Sequence, residues 1–429
     1  MTKNKSVALF TLGCKLNFSE TSTIARKFLE AGYEKVDFNK KADVYVINTC
    51  SVTEVADKKC RNIIQKAIKQ NSEAQIVVVG CYAQLKPEQI QNIDGVDIIL
   101  SNRDKHKVVD FVEKKFVGSS ICDYKDLDEF NSAWSIDDRT RSFLKIQDGC
   151  DYFCSYCTIP IARGLSRSDL IKNVIEEAKA IVSKGVKEIV LTGVNIGDFG
   201  RKQGESLYDL LVEMQNIEGL ERLRISSIEP NLLENRIIDL AAKSSVLMPH
   251  FHIPLQCGTD KLLKLMRRRY TTSDFKARIR YIQKIIPQAF IAIDIIVGVP
   301  EESNDDFNKT ISFLELLGLS ELHIFTYSER PNTKALEMAQ VPKTIRKQRS
   351  QILHQKGVEL STKFAHQFES TVRPVLFEKG NNKKSISGFT DNYLKVSVPF
   401  DEKLVNKIVN VKLNCFDVDN QTFIGEIAN

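Results

Sequence analysis

The stretch 142–157, S-F-L-K-I-Q-D-G-C150-D-Y-F-C154-S-Y-C157, decides how the rest of the chain reads. Its first six residues form a short, mostly apolar run ended by a turn signal, which predicts a strand, and a C-x3-C-x2-C loop follows directly. Three thiolates on one tight loop can hold three irons of a 4Fe-4S cluster and leave the fourth iron without a protein ligand. Such an iron suits chelation by the amino and carboxylate groups of S-adenosylmethionine (SAM), whose reductive cleavage is chemistry of the cofactor rather than of side chains. A structural zinc site competes with this reading. It requires a fourth tetrahedral ligand, which Cys122 or Cys257 can supply, but a loop at a strand end favours the cluster.

Downstream of that loop, strands are predicted over residues 187–192, 222–227, 250–255, 290–297 and 322–327, with helical stretches such as 170–183 and 310–317 between them. Six strand–helix units make a partial TIM-type (βα)6 barrel, short of the eight needed for closure. Polar or glycine-rich segments follow most strands, among them G-V-N-I-G-D, S-I-E-P and S-E-R-P-N-T, and active residues belong at that rim. Upstream, apolar runs at 7–11, 44–48 and 75–80 each precede a helix-like pattern, which predicts a parallel α/β sheet. A cysteine lies just past each run. Cys14, Cys50 and Cys81 would therefore meet at the carboxyl edge of one sheet, where open α/β sheets place ligands.

Residues 118–140, which include the single tryptophan Trp134, read as a connection. A basic helix-like stretch runs from Pro342 to about Phe368. Period-two alternation then takes over in V-R-P-V-L-F-E, Y-L-K-V-S-V-P and K-I-V-N-V-K-L-N-C, with turns at Gly380, Gly388 and Asp391-Asn392, and predicts a small all-β barrel. The fold class is thus α/β with three domains: an N-terminal parallel α/β domain at 1–125, the partial barrel at 136–366 and an OB-like β-barrel at 367–429.

At 429 residues the chain exceeds one ordinary core, and 42% hydrophobic with 27% charged residues is globular composition. No window approaches the roughly 18 apolar residues of a membrane span, and the apolar run near Met1 is too short for a signal peptide, so a cytoplasmic protein is expected. Ten cysteines in a reducing compartment then point to metal or catalysis rather than disulfides. The net charge of +6 is uneven. Residues 258–290 hold nine Lys/Arg against two acids and 341–370 hold six against two, stretches that suit polyanions such as RNA, or simply solvated helix faces.

The Cys150–Cys157 loop resembles that of the radical SAM superfamily. T-L-G-C14-K-L-N, I-N-T-C50-S-V-T and G-C81-Y-A-Q resemble the ligand segments of the methylthiotransferases within it, and the resemblance covers nearly the whole chain. It implies two 4Fe-4S clusters, one on Cys150, Cys154 and Cys157 and a second, which carries the inserted sulfur, on Cys14, Cys50 and Cys81. One SAM would methylate that sulfur and another would supply the radical. Removing hydrogen from an aromatic C–H bond is beyond ordinary acid–base catalysis. By resemblance, L-T-G193-V-N195 meets the SAM amino group, I-V-G298-V-P runs past the adenine, and R-I-S-S227-I-E229-P offers polar groups to ribose or substrate. H252-I-P-L-Q256 also matches, with a structural histidine the simpler role for His252. The C-terminal barrel resembles the RNA-binding TRAM module, with Phe389 and Tyr393 as stacking residues.

The fine pattern, including C157-T-I-P-I-A-R-G and Y327-S-E-R-P-N-T, resembles most the enzymes acting on N6-threonylcarbamoyladenosine next to the anticodon of tRNA. Arg330 and the run Arg267, Arg268 and Arg269 are candidates for the threonyl carboxylate, since arginine forks match carboxylates. The same run and T-I-R-K-Q-R349 are candidates for tRNA phosphates. An aspartate of a ribosomal protein is the alternative substrate, and a noncatalytic, zinc-stapled RNA binder is the alternative of another class. Radical chemistry requires an electron donor, which the sequence does not identify, as it does not identify an oligomeric state. For Cys60, Cys122, Cys257 and Cys415 a small buried hydrophobe is at least as good a reading as a redox role, and the four stay unassigned.

Overall fold

The structure is a computed structural model that describes residues 5–136, 140–380 and 384–428. Its first sheet is fully parallel. Strands β1 (Ser6–Thr11), β2 (Glu34–Val36), β3 (Val44–Thr49), β4 (Gln75–Gly80), β5 (Ile98–Leu100) and β6 (Gly118–Ser120) run in the order β2-β1-β3-β4-β5-β6. Every residue of β3 is buried, because its alternate side chains enter two cores, Tyr45 and Ile47 on one face and Val44 and Val46 on the other. β1, β3 and β4 are adjacent, which puts the carboxyl ends that precede Cys14, Cys50 and Cys81 side by side.

Strand β7 (Ala133–Trp134) pairs antiparallel with β8 (Ser142–Lys145), and the short pair β9 (Gln147–Asp148) and β10 (Arg167–Ser168) brackets the C-x3-C-x2-C loop. β8 lies parallel to β11 (Glu188–Thr192), and β11 to β12 (Arg222–Ile225). A second parallel sheet holds β13 (His250–His252), β14 (Phe290–Val297) and β15 (Glu321–Thr326), and isolated bridges at Leu223–Leu247 and Ser227–His252 join the two. The six parallel strands of the partial barrel are therefore present, wrapped by amphipathic helices around one large apolar core. No helix of the structure is long and apolar enough to cross a membrane.

The last five strands, β16 (Val372–Phe377), β17 (Ser385–Thr390), β18 (Lys395–Pro399), β19 (Ile408–Asp417) and β20 (Thr422–Ile427), close into a barrel in the order β16-β17-β18-β20-β19. Gly388, expected in a turn, lies instead inside β17. A Cβ there would stand 2.3 Å from the Leu376 carbonyl oxygen of the paired strand, so the glycine serves close strand approach. The left-handed turn position belongs to Tyr393, at φ 70°. The barrel docks through buried arginines of β12: Arg222 donates to the carbonyls of Phe389 and Pro374, and Arg224 to those of Thr390 and Asp391, while Glu188 on β11 accepts from Arg224 at 2.9 Å.

Candidate active site

Each of the three N-terminal thiols lies where a strand turns into a helix. Cys14 is the N-cap of the helix Lys15–Glu30, Cys50 precedes the helix Glu54–Gln70, which Thr53 caps, and Cys81 opens the helix Cys81–Leu85. The turns pack tightly. A Cβ on Gly13, at φ 101°, would come within 2.7 Å of Cys50 Cβ and 3.0 Å of its Sγ. Burial, reinforced by Cys81 and Cys14, pushes the Cys50 thiol up to about 12, and burial also raises Cys14 against the lowering pull of Arg163.

The second thiol set lies at the carboxyl end of β8. Gly149 (φ 69°) would carry a Cβ 2.1 Å from the Leu165 carbonyl oxygen, so only glycine lets the chain turn here, and Cys150 N then donates to Gly164 O at 3.1 Å. Within the loop Cys157 N donates to Cys154 O, and Ile159 N to Cys157 Sγ at 3.5 Å. Burial first, then the Cys154 thiol, pushes Cys157 up to about 12; burial likewise takes Cys150 to about 12. Arg268 inserts its guanidinium between Glu229, with which it forms an ion pair, and Cys154 Sγ, to which it donates at 3.2 Å.

A cavity of about 380 Å³ opens at the loop cysteines. Asn195, Ser227 and Glu229 line it with them, and so do Val52 and Thr53, the second and third residues after Cys50. Asn195 donates through Nδ2 to Asp198, but its Oδ1 is buried without a hydrogen-bond partner among the described residues, so a ligand bearing an amino or hydroxyl donor would satisfy it. Gly193 and Gly298 are not among the lining residues. What crowds them is the protein itself: a Cβ would meet Gln147 Oε1 at 2.9 Å in the first case and Arg346 Cγ at 2.2 Å in the second.

The arginines depart from the expectation. Arg267 takes a left-handed conformation at φ 60°, and this splays the run, so that its three side chains form no common fork. Arg267 is exposed, Arg268 is held by Glu229, and Arg269 lies over the Tyr152 ring at 4.0 Å while donating to Asp151 O. Arg330 is buried against Asp57 at 2.9 Å and Ser51 Oγ at 2.7 Å, which ties the loop after β15 to the Cys50 turn. In T-I-R-K-Q-R349, the buried Arg346 pairs with Glu329 and the buried Arg349 with Glu302, which leaves Lys347 as the exposed cation of the segment. Phe389 and Tyr393 stack on each other at 4.8 Å, and Tyr393 also packs on His250, with Arg141 and Arg224 over its ring. They are interface residues rather than an open stacking surface, although Tyr393, Arg141 and Lys15 line a groove of about 580 Å³ that reaches Cys14.

Sequence reasoning passed over Arg163 and Glu20. Arg163, 1% exposed, donates to Asn17 Oδ1 at 2.6 Å and pairs with Glu20 and Asp148 at 3.0 Å; it belongs to the barrel yet reaches the Cys14 helix. Its place in the apolar segment I-P-I-A-R was the available signal.

Two family models match: the uncharacterized protein family UPF0004 over residues 6–101 and the radical SAM superfamily over residues 144–314. A curated relative from Bacillus subtilis, threonylcarbamoyladenosine tRNA methylthiotransferase MtaB, is 40% identical over 95% of this chain and 93% of its own length. The chain belongs to the radical SAM methylthiotransferase family. The Thermotoga maritima relative of the same name is 36% identical over 91% of each chain, and tRNA-2-methylthio-N(6)-dimethylallyladenosine synthase of Staphylococcus haemolyticus is 31% identical over 96% and 84%. Among solved structures, the radical SAM methyltransferase TsrM from Kitasatospora setae superposes with a TM-score of 0.58 at 13% identity, covering 78% of this chain and 77% of that one, which shows a shared fold. Membership makes the chain a sulfur-inserting enzyme that uses a 4Fe-4S cluster and SAM, and it excludes the noncatalytic zinc-stapled reading. The half-buried thiol triplet on one loop and the orphaned acceptor of Asn195 fit those groups.

Proposed function

We propose that this radical SAM methylthiotransferase places a methylthio group on C2 of N6-threonylcarbamoyladenosine beside the anticodon of tRNA, with one 4Fe-4S cluster on Cys150, Cys154 and Cys157 and a second on Cys14, Cys50 and Cys81. The observation that carries this reading is the single cavity lined both by the loop cysteines and by Val52 and Thr53 after Cys50. When bound, the clusters and SAM supply electron transfer, the carbon-centred radical and the sulfur. The chain's own residues do the positioning. Asn195 and Ser227 offer polar groups to SAM, the Glu229–Arg268 pair fixes Cys154, and Arg330 with Asp57 clamps the Cys50 turn to the barrel rim. The groove bearing Lys15, Arg141 and Tyr393 gives an anionic RNA an approach to Cys14.

The threonylcarbamoyl substrate is favoured over dimethylallyl- (isopentenyl-) adenosine because relatives named for the former stand at 32–40% identity and those named for the latter at 30–31%. Anticodon stem-loops bearing each base, and the ribosomal protein, separate the readings by mass spectrometry. Methylthiolation of the threonylcarbamoyl stem-loop is expected, and modification of the protein alone would overturn it.

Gly13→Ala tests the second cluster. Strain of about 1–3 kcal/mol at a positive φ, together with the clash at Cys50, is expected to lower iron after reconstitution from about eight towards about four per chain. Formation of 5′-deoxyadenosine should persist. Full iron content would show that the two turns need not approach so closely.

A further inference from the structure

One cluster of ligating side chains in the barrel belongs to neither cysteine set. His252 ends β13, Asp294 lies within β14 and His323 is the third residue of β15. The register pairs Asp294 with His323, and His252 with Ala292 two residues before Asp294, so the three share one face of the sheet. His252 Nε2 stands 2.7 Å from Asp294 Oδ1, His323 Nδ1 stands 3.2 Å from the same oxygen, and the two nitrogens are 3.2 Å apart.

Two N–H donors into Oδ1 would satisfy the carboxylate, but they leave the two ring nitrogens packed at 3.2 Å with no bond between them. The three ligand atoms converge within 4.8 Å of one another, and a cation at the centre would engage all three at once. First-row divalent ions take nitrogen and oxygen ligands at about 2.0–2.2 Å, which sets neighbouring ligands roughly 3 Å apart. Two histidines and one carboxylate converging in this way, with further positions open, are a recurrent ligand set for such ions. The far nitrogen of His323 faces Glu321 Oε2 at 3.3 Å, the carboxylate–histidine contact that orients metal-bound imidazoles. The site is also reachable: the three side chains are 16–36% exposed, and Asp294 lines the 380 Å³ cavity.

We propose that His252, Asp294 and His323 bind one first-row divalent cation, distinct from both cysteine sets. The test is equilibrium dialysis of the anaerobically reconstituted enzyme against Zn2+, with zinc and iron quantified together. The parent is expected to retain one zinc more than Asp294→Asn or His323→Gln, at unchanged iron content and cluster absorption. Glu321→Gln should weaken that zinc by about 10–100-fold, the scale of an orienting carboxylate. Because His323 lies at the exposed edge strand, its variant serves if Asp294→Asn does not fold. Equal zinc in parent and His323→Gln, or no bound zinc in the parent, would overturn the site.

Discussion

Alanine at Cys150, Cys154 and Cys157 together is expected to halve the iron of anaerobically reconstituted protein, from about eight to about four per chain, and to abolish formation of 5′-deoxyadenosine. Cys257, the nearest thiol in sequence on the barrel side, is buried with its Sγ against the Ile296 carbonyl, and Cys60 is buried against Cys50 O, so neither offers the loop a substitute ligand. The counterpart triple variant at Cys14, Cys50 and Cys81 is expected to lose the other half of the iron, to keep uncoupled SAM cleavage, and to make no methylthiolated product. The asymmetry follows from the geometry, since Asn195, Ser227 and Glu229 adjoin the 150–157 loop, whereas the N-terminal set reaches the cavity only through Val52 and Thr53. If both triple variants lost SAM cleavage alike, the division of labour between the two sets would be refuted. About four irons in the parent would remove the second cluster.

The elements legible in advance were those whose burial leaves a strong pattern. β1, β3 and β4 are central strands with apolar runs on both faces, and each ends at a thiol, so both the sheet and its candidate ligands could be read. β2, β5 and β6 are three residues each, too short to show a period, and they were missed. The arginines' partners were not legible for a different reason, although Arg268 and Arg330 do line the cavity. Whether a guanidinium meets a phosphate or an internal carboxylate depends on a partner distant in sequence: Glu229 for Arg268, Asp57 for Arg330, Glu302 for Arg349. Gly388 shows the same limit, since strand approach and turn demand the same residue. His252, Asp294 and His323 stand 42 and 29 residues apart, and only strand register brings them together.

Glu20→Gln is expected to destabilise the protein by about 3–5 kcal/mol, the cost of breaking a buried ion pair from one side, and thereby to lower the thermal midpoint by some 6–20 °C at about 2–4 °C per kcal/mol for a unit of this size. Glu20 is 5% exposed and accepts Lys105 at 2.5 Å, Lys145 at 3.1 Å and Arg163 at 3.0 Å. Burial would raise its carboxyl, but those three cations, Arg163 foremost, hold it well below the ordinary range. Without it, the buried Lys145 and Arg163 would share Asp148, which Arg167 already approaches at 3.3 Å, and Lys105, 6% exposed, would keep only the neutral Asn102 Oδ1 at 2.8 Å. The exposed pair Lys187–Glu221 is the control: Glu221→Gln should change stability by under about 1 kcal/mol, because solvent screens it. Since Lys105 comes from the turn Asp104–Lys107 after β5 and Lys145 and Arg163 from the barrel, the loss should also loosen the junction that sets the Cys14 helix beside the 150–157 loop. Iron should then fall before the C-terminal barrel unfolds. A Glu20→Gln protein with the parent's midpoint and full iron would show that the network contributes nothing to holding the two thiol sets in register.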